Sequence, residues 1–176
     1  MTLAVLVVGL TGSAVGVSGV VLAETLPVLL LAPVAGSLVD RLPRVRVMVW
    51  ADLARVALAL VLAVEHDRAP VAYVVAFGLA AGQVFFGPAA QLLLPTVVAD
   101  EDLVAANSGI WTAAVTAQVV VAPLAAFAAA QVGPGFAFAL NAVSFAVSAW
   151  LLHSLPEPDR PARVTVGSPF RSSVRR

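Results

Sequence analysis

The chain has 176 residues, 61% of them hydrophobic and 11% charged, with a mean hydropathy of +1.00 and a net charge of zero. A water-soluble domain is about 45–50% apolar and about 25% charged, so this composition cannot cover a folded surface with polar groups, and the solvent it implies is lipid. Cysteine is absent, which excludes a disulfide framework and a thiolate metal site, and the ten basic residues are all Arg, which removes any phosphate loop that depends on Lys.

In chain order, the first apolar run is TLAVLVVGL, nine residues ending before a turn-like TGS around Gly12. A bilayer-spanning helix takes about 17–25 residues, so this run is too short to cross. No basic residue precedes it, as a signal peptide would require. Five later runs are long enough: roughly 14–38, 47–64, 71–95, 104–130 and 134–155. They are separated by DRLPRVR, EHDRAP, VADED and QVGPG, each rich in residues that stop helices. Long apolar runs alternating with turns predict an all-α, polytopic membrane helical bundle over 1–155. Barrel strands would instead alternate with a period of two over about ten residues. Beyond 155, Pro, Ser and Arg dominate and no apolar period survives, so 156–176 is expected to be a flexible tail.

The charges then set an orientation. Between the first two long runs, GSLVDRLPRVRVM places Asp40, Arg41, Arg44 and Arg46 within seven positions. Connections must alternate across the membrane, so 40–46, 96–103 and the tail share one face. That face holds Arg41, Arg44, Arg46, Arg160, Arg163, Arg171, Arg175 and Arg176, whereas the other holds Arg68 and Arg55 lies within a span. The positive-inside rule assigns the Arg-rich face and the tail to the cytoplasm; the expected location is the plasma (inner) membrane.

A charge at the centre of a membrane helix costs about 2.5–3.5 kcal/mol on insertion scales, so each one inside a span needs a role. Glu24 lies 16 residues before Asp40, about 24 Å along a helix and so in the outer part of the membrane. It is either a protonatable carboxylate on a transport pathway, or a carboxylate near the outer headgroups or capping a break at Pro27. Asp52 and Arg55, at i and i+3, are placed to neutralise one another on one helix face. Gln83, Gln118 and Asn141 fall mid-span in three different runs, where they either line a substrate cavity or hydrogen-bond between helices. Gly78-xxx-Gly82 and Gly12-xxx-Gly16 have the spacing of close helix contacts. His66 and His153 have no cluster of other ligands around them, so no metal site is expected. No carboxylate pair or nucleophile constellation faces one side of the bilayer, so the chain is not expected to be an enzyme.

Three stretches carry a resemblance. Gly36, Leu38, Asp40, Arg41 and Arg44 resemble the G-x-L-x-D-R-x-G-R motif of the major facilitator superfamily, which fills the cytoplasmic loop between helices 2 and 3 of that family. Pro43 stands at its second glycine and Val45 at a usual Arg or Lys. PAAQLLLPTVVADEDLVAANS is similar to the segment joining helices 4 and 5 in exporters related to macrolide and enterobactin efflux proteins. There Pro88, Leu93, Pro95, Val98, Leu103, Ala106, Asn107 and Ser108 fit, and Ala90 stands in place of an Arg. ETLPVLLLAPVAGSLVDR resembles helix 2 of the same subgroup. The glycine-rich G-P-x-x-G-G motif of antiporters has a weaker counterpart around Pro123, where Ala122, Ala125 and Ala126 keep the small size without the glycines.

The resemblance implies a fold of two six-helix halves built from inverted three-helix repeats. Residues 1–155 would form the N-terminal half with its first helix truncated, and the tail would begin the loop between halves. Gly36, Asp40, Arg41 and Arg44 would form a charged latch between the halves that favours the outward-facing state. On the residues alone the same charges read first as a positive-inside anchor near anionic lipid, with a carboxylate for balance. The function implied is that of a fragment of a secondary active transporter, a permease or antiporter coupling proton entry to efflux of small hydrophobic or amphipathic molecules of drug or siderophore type. The alternative is a membrane fragment that is inactive or depends on a partner. Expected partners are the lipid bilayer, a small-molecule substrate, protons, and either the second six-helix half or another copy of the chain. No nucleic acid and no cofactor is expected.

Overall fold

The computed structural model describes residues 2–155 and residue 157, so the tail expected over 156–176 lies outside the described residues apart from Glu157. The helices in chain order are α1 (Thr2–Thr11), α2 (Ala14–Val39), α3 (Arg44–Val64), α4 (Ala69–Val97), α5 (Leu103–Thr116), α6 (Ala122–Val132) and α7 (Pro134–His153). A 3-10 turn at Asp100–Asp102 leads into α5, and a π turn at Ala117–Val121 joins α5 to α6 in one apolar rod. No strand occurs among the described residues. Five segments are long and apolar enough to cross a membrane: Val15–Val39, Arg44–Val64, Ala69–Val97, Asp100–Val132 and Pro134–His153. Hydrocarbon offers the backbone no hydrogen bonds, and a helix satisfies its own within the segment. The fold is therefore an all-α polytopic membrane bundle. α1, at ten residues, is about 15 Å long and too short to cross alone.

Local chemistry sets the turns. Gly12 takes a φ of +61° between α1 and α2, a conformation that a side chain would strain. Ser13 then caps α2, its hydroxyl oxygen accepting from the Val15 N–H at 3.2 Å. Gly133, with a φ of +116°, and Pro134 at the first turn of α7 make the corresponding break after α6. α2 continues through Pro27 and Pro33. No break exists at Pro27 for Glu24 to cap, because membrane helices absorb proline through neighbouring groups.

The connection after α2 is shorter than the expected 40–46. α3 begins at Arg44, so only 40–43 link the two helices. Pro43, with a φ of −59°, already has the helical φ and acts as the N-cap residue. Arg44 and Arg46 therefore project from the first turn of a helix, not from a loop. The N–H groups of that turn, which lack partners within the helix, are partly answered by Glu157, whose Oε1 accepts from Val45 N at 3.3 Å.

α3 packs against α4 and α7, α2 against α4, and α1 against α2 and α4. At one end, Leu62, Val7, Val20, Val75, Ala76 and Phe138 form an apolar cluster. At the other, Val39, Val45, Met48, Ala89 and Leu93 form a second, so the starts of α3 and the ends of α2 and α4 meet there. The Gly78 and Gly82 pair works as its spacing predicts. A Cβ on Gly78 would lie 2.5 Å from Leu58 Cδ1 and one on Gly82 would lie 2.8 Å from Arg55 Nε, so α4 approaches α3 closely. Gly12 and Gly16 do not form a second such pair. Gly12 is the turn, and Gly16 backs onto Thr11 and Val7 while its carbonyl accepts the Tyr73 hydroxyl at 3.1 Å. No residue of α5 is buried among those described.

Candidate functional site

Three sets of polar side chains interrupt the apolar bundle. The first lies between the two apolar clusters, about 12 Å into α3 from Arg44. Asp52 is 1% exposed and Arg55 4%, and they are the buried charged residues among those described. Arg55 Nη1 donates to Asp52 Oδ1 at 3.0 Å, so the i, i+3 pair expected from spacing forms. Two further helices complete it: Arg55 Nη2 donates to Gln83 Oε1 of α4 at 3.0 Å, and the Ser148 hydroxyl of α7 donates to Asp52 Oδ2 at 2.6 Å. The guanidinium also stacks at 4.9 Å from the Phe86 ring centroid and 5.4 Å from that of Phe145. Both lie within the roughly 6 Å over which a cation is attracted to a ring face. Arg55 Nε has no partner among the described residues and faces the space left by Gly82. The cluster ties α3, α4 and α7 at one level of the membrane.

The second set lines a half-open cavity of about 360 Å³ between α1, α4, α6, α7 and the π turn. Leu3, Leu79, Val121 and Phe138 give it apolar walls, and Asn141 and Ser144 of α7 supply its polar groups. This volume falls in the range of small-molecule pockets, as does the pattern of apolar walls with few polar groups. Asn141, Ser144 and Ser148 sit at i, i+3 and i+7, so one face of α7 runs from the cavity to Asp52.

The third set is the motif at the end of α2. Asp40 is the C-terminal cap residue, its N–H bonded to the Gly36 carbonyl at 3.2 Å, and its carboxylate is exposed. A Cβ on Gly36 would meet nothing within 4 Å, so the space beside it is open. Arg41 is exposed, and Arg44 donates from Nη1 to the Leu92 carbonyl at 2.8 Å. That carbonyl lies near the C-terminal, negative end of α4, so the bond joins the start of α3 to the end of α4.

The residues singled out from sequence thus separate. Asp52, Arg55 and Gln83 come together, Asn141 lies in the cavity, and Gln118 in the π turn is exposed and lines neither. Glu24 is exposed on α2 and has no partner among the described residues. Sequence reasoning missed Ser148, Ser144, Phe86 and Phe145. The polar spacing along α7 was the available signal for the two serines, while nothing in an apolar helix marks which Phe will face a cation. Among the described residues no group of His, Asp or Glu is placed to hold a metal.

Five long apolar helices packed around a buried Asp52–Arg55 pair make a polytopic bundle of the integral membrane class. The sequence profile of the Major Facilitator Superfamily matches residues 1–175, and the chain belongs to that family. No curated protein and no solved structure matches it.

Proposed function

We propose that the chain works in secondary active transport, exporting small hydrophobic or amphipathic molecules in exchange for protons. The observation that carries this reading is the cavity of about 360 Å³, apolar except for Asn141 and Ser144. Its chemistry suits an oily solute held by one or two hydrogen bonds. The match of Pro88 to Ser108 with the macrolide and enterobactin exporter pattern supports a substrate of drug or siderophore type. Glu24 is the proposed proton carrier, because Asp52 is already engaged by Arg55 and Ser148 while Glu24 has no partner among the described residues.

Alternating access needs a second bundle rocking against the first around a midplane site. We include in the proposal a second six-helix bundle or a second copy of the chain, seated on the unburied α5 and on the open space beside Gly36. The latch role of Asp40, Arg41 and Arg44 belongs to that contact. Reconstituted in vesicles with a completing bundle, the protein is expected to move a lipophilic dye against a proton gradient. Glu24→Gln abolishes the response to the gradient while dye still binds. Unaltered coupling in that variant removes Glu24 from the mechanism. Robust dye movement by the chain alone removes the need for a second bundle.

The proposed orientation puts the Arg-bearing start of α3 in the cytoplasm. A cysteine replacing Asp67, between α3 and α4, is then labelled by an impermeant maleimide in intact cells, and one replacing Asp100, before α5, is not. The opposite pattern reverses the orientation.

A further inference from the structure

A groove of about 580 Å³ runs between α3 and α4 and shares no lining residue with the Asn141 cavity. Its floor is made of small residues, Ala51 and Ala54 on α3 with Gly78 and Gly82 on α4. Trp50 and Phe85 stand as walls, and Pro43 and Arg46 lie at the mouth. From Pro43 to Ala54 the groove follows α3 for about 16 Å. That is about half of a hydrocarbon core of roughly 30 Å, the depth of one leaflet.

The charge at the mouth selects the occupant. Arg46 is exposed and bonds to no described residue. The other positive features nearby are engaged, since Glu157 accepts from the first turn of α3 and Arg44 donates to the Leu92 carbonyl. Trp50 is 71% exposed about 6 Å further along α3. A tryptophan close to a charged helix end suits the interfacial region of a bilayer. We propose that this groove is a binding site for an anionic phospholipid, with one acyl chain along the Ala and Gly floor and the phosphate on Arg46. Any lipid tail fills an open apolar groove in a bilayer. A guanidinium at its mouth favours a lipid with net negative charge, through charge-assisted hydrogen bonds to phosphate.

The site can be tested by tryptophan quenching in the full chain, because Trp50 touches the groove. With Trp111 and Trp150 changed to Phe, the protein is placed in phosphatidylcholine vesicles containing either brominated phosphatidylglycerol or brominated phosphatidylcholine. Half-maximal quenching of Trp50 is expected at an about fivefold lower mole fraction of the anionic lipid. Arg46→Gln removes that preference, and Arg46→Lys keeps most of it. Ala54→Leu, which fills the floor, weakens quenching by both lipids. A variant retaining only Trp150, which is 72% exposed on α7, shows no preference. Equal quenching of Trp50 by both lipids overturns the site. So does a preference that survives Arg46→Gln, or one equally strong at Trp150, since bulk enrichment near basic residues would produce that result.

Discussion

Replacing Asp52 by Ala is expected to destabilise the bundle by about 3–5 kcal/mol, the cost of leaving one member of a buried ion pair without its partner. Arg55 has nowhere to carry its charge. It is 4% exposed, it lies near the middle of α3, and the Phe86 and Phe145 rings flank its guanidinium. Gln83 can satisfy one Nη group but cannot neutralise the cation, and Ser148 loses its acceptor at the same time. Asp52→Asn keeps the shape and one acceptor oxygen but loses the charge and turns the other oxygen into an NH2 donor, so it falls between Ala and the natural residue. The double variant Asp52→Leu with Arg55→Met removes both charges and is expected to recover most of the loss, since buried pairs are often replaceable by apolar residues of similar volume. The measurement is the dodecyl sulfate fraction at which helicity is lost in mixed micelles. If Asp52→Ala unfolds with the natural chain, the pair contributes nothing and the cluster is not the tie between α3, α4 and α7.

Gly82→Ala is expected to cost about 1–3 kcal/mol, and Gly78→Ala clearly less, although the two glycines share one face of α4. The distances alone suggest the reverse, because a Cβ at Gly78 comes 2.5 Å from its neighbour and one at Gly82 comes 2.8 Å. What differs is whether the neighbour can yield. At Gly78 the obstacle is the tip of Leu58, a half-buried side chain that can rotate toward lipid. At Gly82 it is Arg55 Nε, in a guanidinium held by Asp52 and Gln83, with the Ala51 carbonyl 3.5 Å away on the same side. A methyl there must either push α4 from α3 or break one of those hydrogen bonds. The same unfolding assay separates the outcomes. Equal losses at the two sites, or a larger one at Gly78, would show that Arg55 moves freely and that its hydrogen bonds do not set the approach of the helices.

The candidate site was legible only where its geometry is local. Asp52 and Arg55 are one helical turn apart, so spacing alone predicted the pair. Ser148 lies 96 residues from Asp52, and Gln83 lies 28 from Arg55. Which helices meet decides those bonds, and no local pattern carries that information. Gln83, Gln118 and Asn141 look alike as amides in apolar runs, yet one binds a cation, one is exposed and one lines a cavity. The start of α3 was misplaced for a related reason. Arg44 and Arg46 read as loop because they are charged, but Pro43 supplies a helix start and Glu157 reaches back from beyond α7 to meet it.

The sequence by itself determined the solvent, the helical class, the five spans and the family. Each depends on properties of contiguous residues: run length, hydropathy and the punctuation of Gly, Pro and charge. In hydrocarbon the backbone must bond within its own segment, so length and composition are enough to define a span. Only the tertiary structure decided which faces of those spans are covered. In water a helix marks its buried face by a stripe of apolar residues, whereas in lipid both faces are apolar and the stripe disappears. Leu62 is buried and Leu60 exposed, Val39 is buried and Val34 exposed, with nothing in the side chains to tell them apart. Helix association in lipid depends on close packing of small residues and a few hydrogen bonds. Gly82 against Arg55, and Ser148 against Asp52, are such contacts, and they exist only once α3, α4 and α7 are side by side.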